Sequence, residues 1–199
     1  MTRIYLIRHG EVENNVKDIF GGDSELTERG REQAREIAES LKNVDFEIIY
    51  HSPRKRAVNT SKIIAGIVSG VKLIEVPELT EMNYGEIEGL SIKDINQIFP
   101  GLFKERAENK YYWKLGGENF EDIRNRVRGF LGGLKLEKNC CAIVGHQMTN
   151  RAILGELLNL SIDKIPFINT PNDVIYEIDV DNSEVWHINK GVRGKGLIE

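Results

Sequence analysis

The sequence predicts a three-layer α/β/α sandwich around a mostly parallel central sheet, with a short inserted cap. Two observations lead there. Short apolar runs alternate with segments of helical periodicity, and a strand–helix–strand succession implies parallel crossovers with helices on both faces of the sheet. The length, 199 residues, suits one such domain, so a single domain is expected over residues 1–199. A less regular, glycine-containing stretch at about 82–117 interrupts the alternation and reads as the cap, not as a second domain.

Ile4–Ile7 reads as a short buried strand. Leu26–Leu41 follows as a helix, because Ala34, Ile37, Ala38 and Leu41 fall on one stripe. Thr27 suits its N-cap and Glu28 its first turn. Glu47–Tyr50 is the second strand. Ser52-Pro53 then reads as the N-cap and first residue of a helix. That helix runs to about Val68, striped by Ala57, Ser61, Ile64, Ala65 and Val68. Lys72–Val76 is the third strand. Inside the cap, only Ile92–Phe99 carries a short helical pattern. Glu118–Leu134 is a helix striped by Phe120, Ile123, Val127, Phe130, Leu131 and Leu134, Cys140–Val144 a buried strand, and Thr149–Leu158 a helix. Asp173–Val180 and Glu184–Asn189 form a late strand pair around the turn Asp181-Asn182. The tail Lys190–Glu199 contains Gly191, Gly194 and Gly196 and is expected to be mobile.

Composition narrows the function. Lys+Arg number 27 against 31 Asp+Glu, a net charge of −4. That balance argues against a broad nucleic-acid or anionic-membrane footprint but leaves room for a local basic pocket. No apolar run approaches the ~20 residues of a membrane span. The opening MTRIYLIRHG lacks the long apolar region and cleavage site of a secretory leader. Cys140 and Cys141, adjacent on a strand, would face opposite ways and read as free thiols in a reducing cytoplasm. No Cys/His spacing resembles a zinc site.

Ligands of such sheets bind at the carboxyl ends of the strands. Arg8-His9-Gly10 follows the first strand, His51-Ser52-Pro53 the second, with Arg54 and Arg56 just beyond, and Gly145-His146-Gln147 follows Cys140–Val144. Arg8, Arg56, His9 and His146 can therefore converge on one point. Arginine matches phosphate oxygens as a fork, and each charged hydrogen bond contributes about 1.5–3 kcal/mol. A histidine there can donate hydrogen bonds or attack phosphorus. The chain has no glycine-rich P-loop with lysine and no evident carboxylate cluster for magnesium, so no metal or other cofactor is expected. His51 and His187 lack this support and read as structural.

These blocks resemble the histidine phosphatase superfamily, with its phosphoglycerate mutase-like fold. The resemblance is carried by Ile4-Tyr5-Leu6-Ile7-Arg8-His9-Gly10-Glu11 with Asn15, by Leu26-Thr27-Glu28-Arg29-Gly30 with Gln33-Ala34, and by Ser52-Pro53-Arg54-Lys55-Arg56-Ala57 leading to Thr60. It continues in Leu79-Thr80-Glu81-Met82-Asn83-Tyr84-Gly85 with Glu88-Gly89, in Gly117-Glu118, and in Val144-Gly145-His146 with Arg151. The resemblance implies that His9 attacks phosphorus and becomes phosphohistidine. It implies that Arg8, Arg56 and His146 hold the equatorial oxygens, that Asn15 is a neutral phosphate contact, and that Glu81 protonates the leaving group and then activates water. Glu81 must start protonated, so turnover is expected to favour mildly acidic pH. Glu86, Glu88 and Glu118 read as structural, and Tyr84 either packs in the cap or lines the site.

Three departures bear on substrate. Gln147 stands where many family members have glycine; fructose-2,6-bisphosphatases are similar to this chain in having His-Gln here, and the glutamine side chain should narrow the pocket beside the phosphate. Asn119 replaces the usual serine after Gly-Glu. The cap is short compared with cofactor-dependent phosphoglycerate mutases. Its Arg106, Lys110 and Lys114 are accompanied by Tyr111, Tyr112 and Trp113, which pack the cap onto the domain or, less favoured, line a leaving-group site. The expected function is thus a metal-independent cytoplasmic phosphomonoesterase acting on a small phosphorylated metabolite. The candidate substrates are alpha-ribazole 5'-phosphate, sugar phosphates or sugar acids, or several of these. The alternatives are a phosphoglycerate mutase and a non-catalytic phosphate-binding regulator. No nucleic-acid or membrane partner is expected, and the chain would act as a monomer or homodimer.

Overall fold

The computed structural model describes residues 2–108, 115–134 and 140–198. Lys110, Lys114 and the aromatic trio Tyr111, Tyr112 and Trp113 lie outside the described residues. Strand β1 (Arg3–Arg8) leads through the single turn α1 (Glu13–Val16) into helix α2 (Glu28–Leu41). Next come β2 (Ile48–His51), α3 (Lys55–Ile67) and β3 (Lys72–Glu75). The cap contributes the short helices α4 (Ile92–Ile98) and α5 (Leu102–Glu108). Helix α6 (Phe120–Gly133), β4 (Cys140–Gly145) and α7 (Gln147–Leu157) follow, and the chain finishes with β5 (Val174–Asp179), β6 (Glu184–Asn189) and β7 (Val192–Lys195).

The described strands form one seven-stranded sheet in the order β3-β2-β4-β1-β5-β6-β7. The half containing β3, β2, β4 and β1 is parallel, and β5, β6 and β7 add antiparallel. The three layers match the expectation, and the sheet is mixed. The tail is a correction: Val192–Lys195 pairs with β6 instead of moving freely. Gly194 stands where a Cβ would come within 2.4 Å of His187 Nε2, so its missing side chain permits close packing. Arg193 lies 4.1 Å over the Trp186 ring and pairs with Glu177 at 2.7 Å. Beyond it, Ile198 O accepts from Asn169 N at 3.0 Å.

Alternation along the central strands sends side chains to two cores. Ile4 and Leu6 of β1, with Cys141 and Ile143 of β4, join a cluster that includes Phe120, Ile123 and Val127 of α6 and Ile153 of α7. Tyr5, Ile7, Ala142 and Val144 join Ile37, Ala38 and Leu41 of α2 and Ile64 of α3. Thr27 caps α2 by accepting from Gly30 N at 3.0 Å, as its position predicts. The Ser52-Pro53 cap is corrected: Arg54 is the N-cap and α3 starts at Lys55.

A close approach holds the loop after β1 against α2. A Cβ on Gly10 would lie 2.2 Å from Gly30 O, and one on Gly30 would lie 2.1 Å from Glu11 O. Gln33 Oε1 accepts from Glu11 N at 2.8 Å, Thr60 Oγ1 accepts from Gly10 N at 3.0 Å, and the Thr27 hydroxyl donates to Glu11 Oε1 at 2.7 Å. The Thr-Glu-Arg-Gly block is thus the brace of the His9 loop. Gly30→Ala is expected to destabilise the fold by about 1–3 kcal/mol through overpacking. Chemical denaturation would read this as a lower midpoint, with turnover falling alongside.

Candidate active site

Three strand ends build the site. Register places Arg8 opposite Gly145 and His51 opposite Val144. The exits are tied together: His9 N donates to Gly145 O at 3.1 Å, and Ser52 N donates to Val144 O at 3.1 Å. His9, Arg56 and His146 are all buried at their meeting point, His146 completely. The two imidazole centroids are 5.0 Å apart.

Arg56 sits between the histidines. Its Nε donates to His9 Nε2 at 3.1 Å and to His146 Nδ1 at 3.2 Å. Its Nη1 donates to Gly22 O at 2.6 Å and lies 3.8 Å from Asp23 Oδ1. An accepting nitrogen must carry a lone pair, so these contacts assign the tautomers. His9 keeps its proton on Nδ1, which donates to Gly10 O at 2.7 Å. His146 keeps its proton on Nε2, which donates to Ser52 Oγ at 2.8 Å. Burial, then the charges of Arg56 and Arg8, hold His9 well below the ordinary imidazole range. Burial and Arg56, with His9 and Arg8 behind them, do the same for His146. The site therefore presents a neutral His9 with its Nε2 lone pair available at neutral pH.

Arg8 reaches Thr170 O with Nη1 at 3.2 Å, while its Nε is buried without a hydrogen-bond partner. A buried donor left open costs free energy until an acceptor arrives. Glu81 faces the same space from the loop after β3. Its carboxylate accepts from Met148 N at 3.2 Å and Thr149 N at 3.3 Å in the first turn of α7. These residues converge on a cavity of about 400 Å³, whose described lining includes Arg8, His9, Asn15, Arg56, Glu81 and Gln147. Asn15 spends its Oδ1 on Val12 N at 3.2 Å. Tyr84 lines the cavity as well. Burial and the Glu81 charge raise its phenol far above the ordinary range, so it stays protonated. Among the described residues, no group of three or more His, Cys, Asp or Glu side chains is placed to hold a metal ion.

Every sequence-predicted site residue lies on this cavity or, for His146, directly behind Arg56. His51 and His187 lie apart from it: their Nδ1 atoms meet Ser52 O and Gly196 O. Glu88 and Glu118 hold backbone, accepting from Gly22 N and Asn83 N, each at 2.9 Å. Sequence reasoning missed Asn172, whose Nδ2 donates to His9 O at 2.6 Å, and Thr170. No pattern marks them, because they arrive on the loop before β5.

Ser52 was also missed, since a serine before a proline reads as a helix cap. Ser52→Ala would leave the His146 Nε2 proton without its acceptor in a fully buried position. An unsatisfied buried donor costs about 1–3 kcal/mol, so turnover is expected to fall roughly tenfold. Nitrogen-15 NMR of the imidazoles should show the Nε2-protonated form of His146 in the parent and its loss in the variant.

The family model of the histidine phosphatase superfamily (branch 1) matches residues 4–190. Phosphoserine phosphatase 1 of Hydrogenobacter thermophilus is 29% identical over 169 residues, covering 82% of this chain and 80% of that protein. Human 6-phosphofructo-2-kinase/fructose-2,6-bisphosphatase 4 is 29% identical over 178 residues, covering 88% of this chain but only 37% of the human protein. A mycobacterial glucosyl-3-phosphoglycerate phosphatase, solved with VO3, superposes with a TM-score of 0.82 at 26% identity, over 90% of this chain and 93% of that one.

Proposed function

The chain belongs to branch 1 of the histidine phosphatase superfamily, and on that premise we propose that this phosphatase is a metal-independent phosphomonoesterase of small metabolites working through phosphohistidine. The observation that carries the reading is the arrangement around His9. Its Nδ1–H is held by Gly10 O, and its Nε2 lone pair stands 3.1 Å from Arg56 Nε at the cavity wall. The open Nε of Arg8 supplies a second donor awaiting an anion.

The substrate's phosphate displaces the Arg56 contact to His9 and takes the guanidinium groups of Arg8 and Arg56 as its equatorial partners. His9 Nε2 gives its lone pair to phosphorus as the ester P–O bond breaks, and the Glu81 carboxylic acid protonates the departing oxygen. Water then loses a proton to Glu81 and attacks the phosphohistidine. The P–N bond breaks, its electron pair returns to Nε2, and inorganic phosphate leaves. His146 lends an equatorial contact as its neutral Nδ1–H tautomer, the ring proton having left Nε2 and the Ser52 hydroxyl donating to Nε2 in its place, and Asn15 and Gln147 shape the pocket rim. A volume of about 400 Å³ falls within the ~300–1,000 Å³ usual for small-molecule sites.

Candidate substrates are alpha-ribazole 5'-phosphate, sugar phosphates and sugar acids, joined by phosphoserine through the 29% identical relative. The short cap favours water over a second substrate as phosphate acceptor. Cytoplasmic action fits the two free thiols, and no helix among the described residues is long and apolar enough to cross a membrane.

The test is hydrolysis of p-nitrophenyl phosphate in EDTA, followed by a panel of these esters. EDTA-resistant release supports the reading. Interconversion of 3- and 2-phosphoglycerate in place of release would indicate a mutase, and silence in both assays a phosphate-binding regulator.

A further inference from the structure

A second cavity of about 610 Å³ adjoins the first, and Glu81 belongs to the walls of both. Arg54, Asn83, Glu88, Glu118 and Arg126 also line it. All but one of these charged side chains have a hydrogen-bond or ion-pair partner. Glu118 Oε1 takes Arg126 Nε at 2.8 Å, and its Oε2 takes Asn83 N at 2.9 Å. Glu88 accepts from Gly22 N at 2.9 Å and from Tyr84 N at 3.2 Å. Glu81 accepts from the first turn of α7. Arg54 is the exception. It hydrogen-bonds through its backbone N–H, to Ser52 Oγ at 3.2 Å, and its guanidinium has no partner among the described residues. It is half-buried, and its charge is felt at both Arg56 and His146.

The position matters because of Glu81. A leaving oxygen must lie beside Glu81 to take its proton, so the carbon skeleton attached to that oxygen emerges at the wall the cavities share. A cation without a partner there, partly withdrawn from water, meets whatever the skeleton carries next. A guanidinium grips a carboxylate as a bidentate fork. The neighbouring carboxylates of Glu88 and Glu118 repel a doubly charged second phosphate more than a singly charged carboxylate, and they accommodate an ammonium group beside it.

We propose that Arg54 binds a carboxylate on the leaving group, so that the preferred substrates are phosphate esters of hydroxy acids, including hydroxyl amino acids. This rests on the phosphomonoesterase reading above and names the substrate class for that site.

O-phosphoserine and phosphoethanolamine test it, because they differ by one carboxylate. The parent should show higher kcat/KM for phosphoserine. Arg54→Gln should lower the ratio of the two kcat/KM values by about tenfold or more, chiefly through the KM of phosphoserine, as expected for a lost charged hydrogen bond. Arg54→Lys should retain part of the preference. A parent without preference, or a ratio unmoved by Arg54→Gln, overturns the assignment. In both cases, continued hydrolysis of phosphoethanolamine or p-nitrophenyl phosphate leaves the phosphatase reading standing. Failure of the parent on all three esters overturns both.

Discussion

His9→Ala is expected to reduce turnover of any phosphate ester by about 10⁴-fold or more, the scale seen when a covalent nucleophile is removed from its catalytic unit. The structure explains why no neighbour should substitute. His146 is the only other imidazole beside Arg56 among the described residues; it is completely buried, with its Nε2–H committed to Ser52 Oγ. Arg8 and Arg56 carry no nucleophilic lone pair. The variant should still bind inorganic phosphate or vanadate, because both guanidinium groups remain. Retained binding with lost turnover, read by calorimetry beside a p-nitrophenyl phosphate assay, separates this outcome from a collapsed fold.

Arg56→Ala carries the next largest effect. Removing one preorganised donor from a transition-state oxyanion typically costs about 2.7–4 kcal/mol, or 10²–10³-fold in kcat. Arg56 does more than donate. Its charge is the second cause, after burial, of the low proton affinity of His9. Without it the imidazolium form is less disfavoured, the His9 pKa rises, and a larger fraction is protonated and unreactive at mildly acidic pH. The acidic limb of the rate profile should therefore move to higher pH in Arg56→Ala. Arg56 also ties Gly22 O at 2.6 Å, so the loop that carries Gly21 and Phe20 into the cavity wall loses an anchor and KM should rise. Arg56→Lys should keep the acidic limb nearer its original position while failing to restore kcat, since an ammonium cannot form the fork. A profile that stays in place in Arg56→Ala would argue against electrostatic control of His9.

Strands β1, β2 and β4 of the parallel half were legible because each is short, apolar and leads into a striped helix. That pattern fixes where the strand ends face, and hence why Arg8, His9, Arg56 and His146 meet. Glu81 had no such support from periodicity. It was found by resemblance, and α7 holds its carboxylate through Met148 N and Thr149 N, contacts between segments 67 residues apart that spacing cannot reveal. Ser52 was misread because local chemistry favours a helix cap, whereas the His146 ring reaches its hydroxyl at 2.8 Å. The tail was misread because glycine signals freedom locally. Gly194 instead lets the chain pass close over His187, and Arg193 fixes that strand through Trp186 and Glu177. Asn172 supports His9 by donating its side-chain Nδ2 to His9 O, and Thr170 supports Arg8 by presenting its backbone carbonyl, a role that leaves no mark on the residue type.

The central claim is a covalent bond between phosphorus and one nitrogen. The direct measurement is to mix the protein with a phosphorus-32-labelled ester, quench in alkali within the turnover time, digest, and locate the label. The account predicts an alkali-stable, acid-labile phosphoryl group on the peptide containing His9, absent from His9→Ala. Label on any other residue, or none during active hydrolysis, would contradict it.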